Sequence, residues 1–147
     1  MLKQIHKNLT REAIKWPSYF EIYERHFNKF VGKQPVVVEV GICHGGSMEM
    51  WKQYFGTDAR VIGIDIHEDF VNTTIDGCEL VLGDQSDPQF WDTFFQTHPD
   101  IDIFIDDGGH QAQGRAAFQR RHHQGRDGAE SRRHVARGRH AAARPGE

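Results

Sequence analysis

Cysteine is nearly absent: the 147 residues hold two, Cys43 and Cys78. Without a repeated spacing they exclude a disulfide framework and a thiolate metal cage, and point to a reducing, cytoplasmic compartment. Each reads as a small buried hydrophobe. Long apolar runs are missing too. No stretch approaches the ~20 residues that a membrane helix needs, and Met1-Leu2-Lys3-Gln4 opens no signal-peptide core. Internal repeats are absent. Residues 111–147 lack lysine and hold only Phe118 and Val135 as larger apolar side chains. A segment so composed cannot build a packed core.

The formal net charge of −3 hides a division. Residues 1–110 carry 9 Lys+Arg against 18 Asp+Glu, and residues 111–147 carry 9 Arg against 3 acids. The first part therefore has net charge −9 and the second +6. The chain divides accordingly into an N-terminal arm (1–35), a core (36–110) and an Arg/Ala/Gly-rich tail (111–147) expected to be disordered.

What is present is an alternation of strand and helix patterns. Residues 1–15 read as a weak helical or irregular arm. Phe20, Tyr23, Phe27 and Phe30 recur at helical spacing behind Pro17 and before Gly32, and most simply form a core stripe. Trp16 is open between core and a lid. A first strand is expected at 36–41, a helix at 47–55 stopping at Gly56, and strands at 60–66 and 78–82. Asp87-Pro88 is an N-cap and first-turn proline, opening a helix with Phe90, Trp91, Phe94 and Phe95 on one side. Ile101, Ile103, Phe104 and Ile105 make a fourth strand. The expectation is an α/β fold with a parallel sheet in the order 3-2-1-4.

Four strand ends carry polar groups: Glu39 with Gly41 and Gly45, then Asp65, then Asp84 with Gln85, then Asp106 to His110. In an open α/β sheet such ends face one crevice. The glycine pattern is Gly41-x-x-x-Gly45-Gly46, not G-x-G-x-x-G. Glu39 beside it would repel a pyrophosphate and suits a positive, phosphate-free ligand end. The plainer alternative is an ordinary βα turn with a solvated acid.

With these residues in view, the chain resembles the class I S-adenosylmethionine-dependent methyltransferases. More narrowly it resembles the metal-dependent sugar O-methyltransferases of the macrocin and mycinamicin type, with their cephalosporin-hydroxylase-like relatives. The matching pieces are Lys15-Trp16-x-x-Tyr19-Phe20-x-x-Tyr23-Glu24, Val38-Glu39-Val40-Gly41-x-x-x-Gly45-Gly46-Ser47, Gly63-Ile64-Asp65, Gly83-Asp84-Gln85 and Ile105-Asp106-Asp107-Gly108-Gly109-His110. The resemblance implies a truncated Rossmann-like fold in which Glu39, Gly41 and Gly45 hold the methionine part of the cofactor. It implies Asp65 on the ribose, Asp84 and Gln85 beside the adenine, Asp107 on a divalent metal, Mg2+ by preference, and His110 as general base. The acceptor would be a small hydroxyl-bearing molecule such as a sugar. That chemistry is coherent: an alcohol needs its proton removed during attack on a sulfonium methyl, which a cation and a near-neutral histidine can assist. For Asp106-Asp107 and His110 the plainer alternatives are a capped strand end and a loop histidine.

Other functions stay open at this point. One is S-adenosylmethionine binding without transfer. Another is a dinucleotide-binding oxidoreductase, disfavoured by Glu39 and the glycine spacing. The resemblance stops after His110, where further strands and an acidic pair are expected. A reading-frame change there would explain it: compatible codons for Arg120 through His134, read one base later, can spell a Pro-Gly-Gly turn. A basic tail binding nucleic acid through phosphates is the rival, disfavoured because no aromatic interleaves the arginines.

Overall fold

A computed structural model describes residues 1–108 and the strand at 134–137. Its elements are α1 (Leu2–Lys7), α2 (Pro17–Phe27) with a 3₁₀ turn at Asn28–Phe30, β1 (Val36–Val40), α3 (Gly46–Phe55), β2 (Arg60–Asp65), α4 (Glu68–Val71), β3 (Cys78–Leu82), α5 (Pro88–Thr97), β4 (Ile103–Asp106) and β5 (His134–Arg137). The sheet order is β3-β2-β1-β4-β5, with every pairing parallel. No helix among the described residues is long and apolar enough to cross a membrane.

Each element follows from local chemistry. β1 is the β-branched run Val36-Val37-Val38 extended through Val40. Its start is fixed by Asp102, whose Oδ2 accepts the Val36 N–H at 2.9 Å. α5 begins where Asp87 accepts the Gln89 N–H, with Pro88 at the first helical position. α3 ends at Gly56, and Lys52 Nζ donates to the Thr57 and Ala59 carbonyls to close the turn into β2.

Side chains alternate across the sheet with period two. Val37, Val61, Ile103 and Ile105 face α1, α2 and α3, packing with Leu2, Phe27, Trp51 and Phe55. Val38, Ile62, Ile64 and Phe104 face α5, packing with Trp91, Phe94 and Phe95. The result is three layers, with the strand carboxyl ends along one rim. The aromatic stripe divides as expected: Phe20, Tyr23 and Phe27 are buried, Phe30 packs against the same cluster, and Trp16 is exposed.

Residues 1–15 comprise the short helix α1 and an irregular stretch; Leu2 is buried in the core, and residues 8–15 cross over the β1–α3 turn. Two points depart from the sequence reading. Cys43 is exposed, with a left-handed φ of 47°, and only Cys78 is half-buried, its thiol pushed up to about 11 by that burial. The order 3-2-1-4 leaves the fourth strand at an edge; in the structure β5, from the tail, pairs along its whole length. Backbone pairing of an open edge requires no apolar pattern, so composition gave no sign of it. The rest of the tail, the proposed frame change and His110 lie outside the described residues.

Candidate functional site

The carboxyl ends of β1 to β4 enclose a cleft of about 590 Å³, lined among others by Gly41, Asp65, Asp84, Gln85, Asp107 and Gly108. That volume is ordinary for a small-molecule site. A smaller recess of about 160 Å³ adjoins it between residues 12–15 and the β1–α3 turn, sharing Gly41, Cys43 and Asp107. The predicted convergence of four strand ends is therefore real. Gly41 serves the close crossing of β1 and β4 rather than a ligand alone: at φ 85°, a Cβ there would lie 2.7 Å from the Gly108 Cα.

Asp65 ends β2 and is 8% exposed. Its Oδ2 accepts the Ile42 N–H at 3.0 Å and the Cys43 N–H at 3.4 Å, and its Oδ1 accepts the His67 N–H at 3.0 Å. The carboxylate thus ties the β1–α3 turn to the end of β2 while one face stays in the cleft wall. Asp84 Oδ1 accepts the Ser86 N–H at 2.7 Å, and bonding from Ser86 holds its carboxyl below the usual aspartate range. Gln85 lies against Gly108, where an added Cβ would come within 2.8 Å of its Nε2, and its carbonyl accepts the Trp91 indole N–H at 2.9 Å.

Glu39 and Gly45 lie behind the cleft wall rather than in it. Glu39 is 0% exposed. Its Oε2 accepts the Trp51 indole N–H at 3.0 Å, and its Oε1 is 2.7 Å from Lys15 Nζ. Lys15 Nζ also forms a close ion pair with Asp107 Oδ2. The Lys15 side chain is only 3% exposed, and that of Asp107 21%. Burial pulls the Lys15 ammonium down, but the Glu39 and Asp107 carboxylates outweigh it and hold it above the usual lysine range. The buried Tyr23 hydroxyl, with no hydrogen-bond partner among the described residues, feels the same charges, and burial raises its phenol well above the ordinary value. The cluster of Lys15, Glu39 and Asp107 carries one net negative charge.

Lys15 is the site residue that sequence reasoning missed. It stood in the resemblance as the first residue of a motif, with no role. The signal available was only a lone lysine in a stretch without periodicity. The segment that delivers it is held by backbone contacts. Glu49 accepts the Thr10 and Arg11 N–H groups and the Thr10 hydroxyl. Gly46 N donates to the Glu12 carbonyl at 3.2 Å. Arg11 donates to the Thr74 carbonyl.

Asp107, the expected metal ligand, is placed in this ion pair. Among the described residues no three His, Cys, Asp or Glu side chains gather to hold a metal ion. Of the three carboxylates that line the cleft, Asp65 and Asp84 accept from backbone N–H groups and Asp107 is paired with an ammonium, so the described donors do not by themselves fit a divalent cation.

No family model matches the chain. It is 33% identical over 106 residues to the mycinamicin VI 2''-O-methyltransferase of Micromonospora griseorubida, covering 65% of this chain and 26% of that protein. It is 37% identical over 111 residues to the 8-demethyl-8-alpha-L-rhamnosyl tetracenomycin-C 2'-O-methyltransferase of Streptomyces olivaceus, covering 69% of this chain and 29% of the relative. Among solved structures it superposes on the MycE methyltransferase of mycinamycin biosynthesis, in complex with Mg, SAH and mycinamycin VI. That match has a TM-score of 0.64 at 30% identity, and covers 80% of this chain and 30% of the other. The chain thus spans between a quarter and a third of the length of these relatives. Over that span it is a homologue of the class I S-adenosylmethionine-dependent methyltransferases, and among them of the macrocin- and mycinamicin-type sugar O-methyltransferases.

Proposed function

We propose that the chain is the cofactor-binding part of an S-adenosylmethionine-dependent O-methyltransferase whose acceptor is a hydroxyl of a sugar on a glycosylated natural product. The observation that carries this reading is the buried Glu39 carboxylate beneath the glycine turn, in a cluster with one net negative charge. A cationic sulfonium is drawn to that charge, whereas a pyrophosphate is repelled. The curated relatives methylate glycosylated compounds by name, and a solved relative is a complex with SAH. The cleft's volume and its polar ends fit the cofactor's mixed character: Asp65 keeps acceptor capacity for ribose hydroxyls, and Asp84 with Gln85 presents polar atoms where a base would sit.

Bound S-adenosylmethionine supplies an electrophilic methyl group. The chain's residues bind and orient it: Gly41 lets the backbone approach, Asp65 fixes the turn, and Glu39 sets the local field. His110, three residues beyond Asp107, would take the acceptor's proton. The cytoplasmic setting belongs to the same proposal and rests on cysteine usage; nucleic acid and membranes are not partners in it. A second reading, cofactor binding without transfer, is favoured by one observation: Lys15 already holds Asp107.

Isothermal titration calorimetry with SAH, S-adenosylmethionine and NADH tests the proposal. SAH and S-adenosylmethionine should bind and NADH should not. A preference for NADH would overturn it. Turnover with a rhamnosylated acceptor then separates the two readings.

A further inference from the structure

We propose that the outer face of residues 12–16 is a docking surface for the acceptor glycoside, with its sugar at Glu12 and His44 and its apolar aglycone on Ile14 and Trp16. The inference rests on the methyltransferase reading of the cleft and names where the second substrate sits. Residues 8–15 form a strap across the β1–α3 turn, and burial alternates along its end as it does in a strand. Arg11, Ala13 and Lys15 are half-buried, whereas Glu12, Ile14 and Trp16 are exposed. The backbone at Trp16 is extended, with φ −68° and ψ 139°. Ile14 and Trp16 therefore stand about 6.5 Å apart along one face. Hydropathy runs against that placement. The strap turns the Lys15 ammonium inward to two carboxylates and leaves Ile14 73% and Trp16 56% exposed. Large apolar side chains set side by side in water mark a binding surface, and local rules are broken where function requires it.

Three features select a glycoside as the occupant. The first is continuity. Glu12, Ile14 and His44 line the recess that shares Gly41, Cys43 and Asp107 with the cofactor cleft. A molecule seated in the recess adjoins that cleft, and Ile14 leads from it to Trp16. The second is a change of polarity along the row. His44 Nε2 lies 3.7 Å from Glu12 Oε2, so this end offers donors and acceptors for hydroxyl groups. Ile14 and the indole face offer apolar contact instead. The third is rigidity. Glu49 accepts the Thr10 and Arg11 N–H groups, Gly46 N donates to the Glu12 carbonyl, and Pro17 fixes the chain into α2 directly after Trp16. A preformed surface loses little freedom on binding, and a tryptophan presents a large area with few rotatable bonds.

The probe is n-octyl α-L-rhamnoside below its micelle concentration, with rhamnose and 1-octanol as its two halves. Trp51 and Trp91 are 0% and 1% exposed, so acrylamide quenching of the 147-residue chain reads Trp16 alone. Saturating glycoside should lower the quenching constant by about half or more. By calorimetry, Trp16→Ala should weaken the glycoside by about tenfold or more and Ile14→Ser by about threefold, whereas Trp16→Phe should stay close to the parent. Both side chains are exposed, so these variants keep the fold. Each half alone should bind far more weakly than the glycoside. Equal affinity in the parent and Trp16→Ala would overturn the proposal. Octanol binding as tightly as the glycoside would do so too, since that marks a general apolar patch. Quenching that falls as protein concentration rises, with no glycoside present, would overturn it in favour of a second copy of the chain. SAH calorimetry on the same proteins reads the cleft separately. SAH binding without glycoside binding removes the docking surface alone, and glycoside binding at Trp16 without SAH binding removes the cofactor reading alone.

Discussion

Replacing Asp65 isolates the contribution of one carboxylate to both the fold and the site. Three backbone N–H groups point at it: Ile42 and Cys43 at Oδ2, His67 at Oδ1. The bonds from Ile42 and His67 are well formed, and that from Cys43 is long. A hydrogen bond to a charged group contributes about 1.5–3 kcal/mol. Asp65→Ala removes two good ones, but the exposed Cys43 and His67 regain water, so the net loss should be on the order of 2–4 kcal/mol. Ile42, buried, keeps an orphan donor. Asp65→Asn is the sharper variant. Its single side-chain oxygen can serve Ile42 or His67 but not both, and its NH2 meets the other donor head-on. With a urea m value of roughly 1–2 kcal/mol per molar, the Asp65→Ala midpoint should fall by about 2 M at unchanged m. SAH affinity in the folded variant should fall as well, because the turn that shapes the cleft loses its tie. A midpoint within 0.3 M of the parent (roughly the resolution of such a measurement), together with unchanged SAH affinity, would refute the reasoning.

Trp51→Phe keeps an aromatic ring, smaller than the indole, and leaves Glu39 Oε2 without its indole donor in a fully buried position. Urea unfolding should show a loss on the order of 1.5–3 kcal/mol, larger than for Trp51→Phe in a background where Glu39→Gln has removed the charge. Glu79 is held below its ordinary value: burial pushes its carboxyl up, but hydrogen bonds from Arg60 and His98 outweigh that. A depressed folded value means that its stabilisation is full above the unfolded-state value near 4.5 and is lost as pH falls through the folded value. With stabilities matched at pH 7, acid unfolding should therefore set in at higher pH for the parent than for Glu79→Gln, because only the parent loses this contribution on acidification, and coincident curves would count against the pairing.

The sequence by itself determined the layers. β-branched runs at Val36–Val40 and Arg60–Asp65, alternating with the aromatic faces of α3 and α5, need both sheet faces covered, and period-two burial then follows from the pleat. Parallel crossovers place Asp65, Asp84 and Asp107 at one rim, because strand direction alone decides which end a residue occupies. Tertiary structure decided what those residues touch. Residues 8–15 have no period to read, since the strap is held through its backbone by Glu49 and Gly46, far away in sequence. Only the folded chain brings Lys15 to Glu39, 24 residues on, and to Asp107, 92 residues on. The pairing of His134–Arg137 with β4 likewise uses main-chain groups that every residue carries. Burial patterns are written in side chains and can be read one element at a time. Backbone docking and buried charge pairing arise between distant segments, and only the assembled fold specifies them.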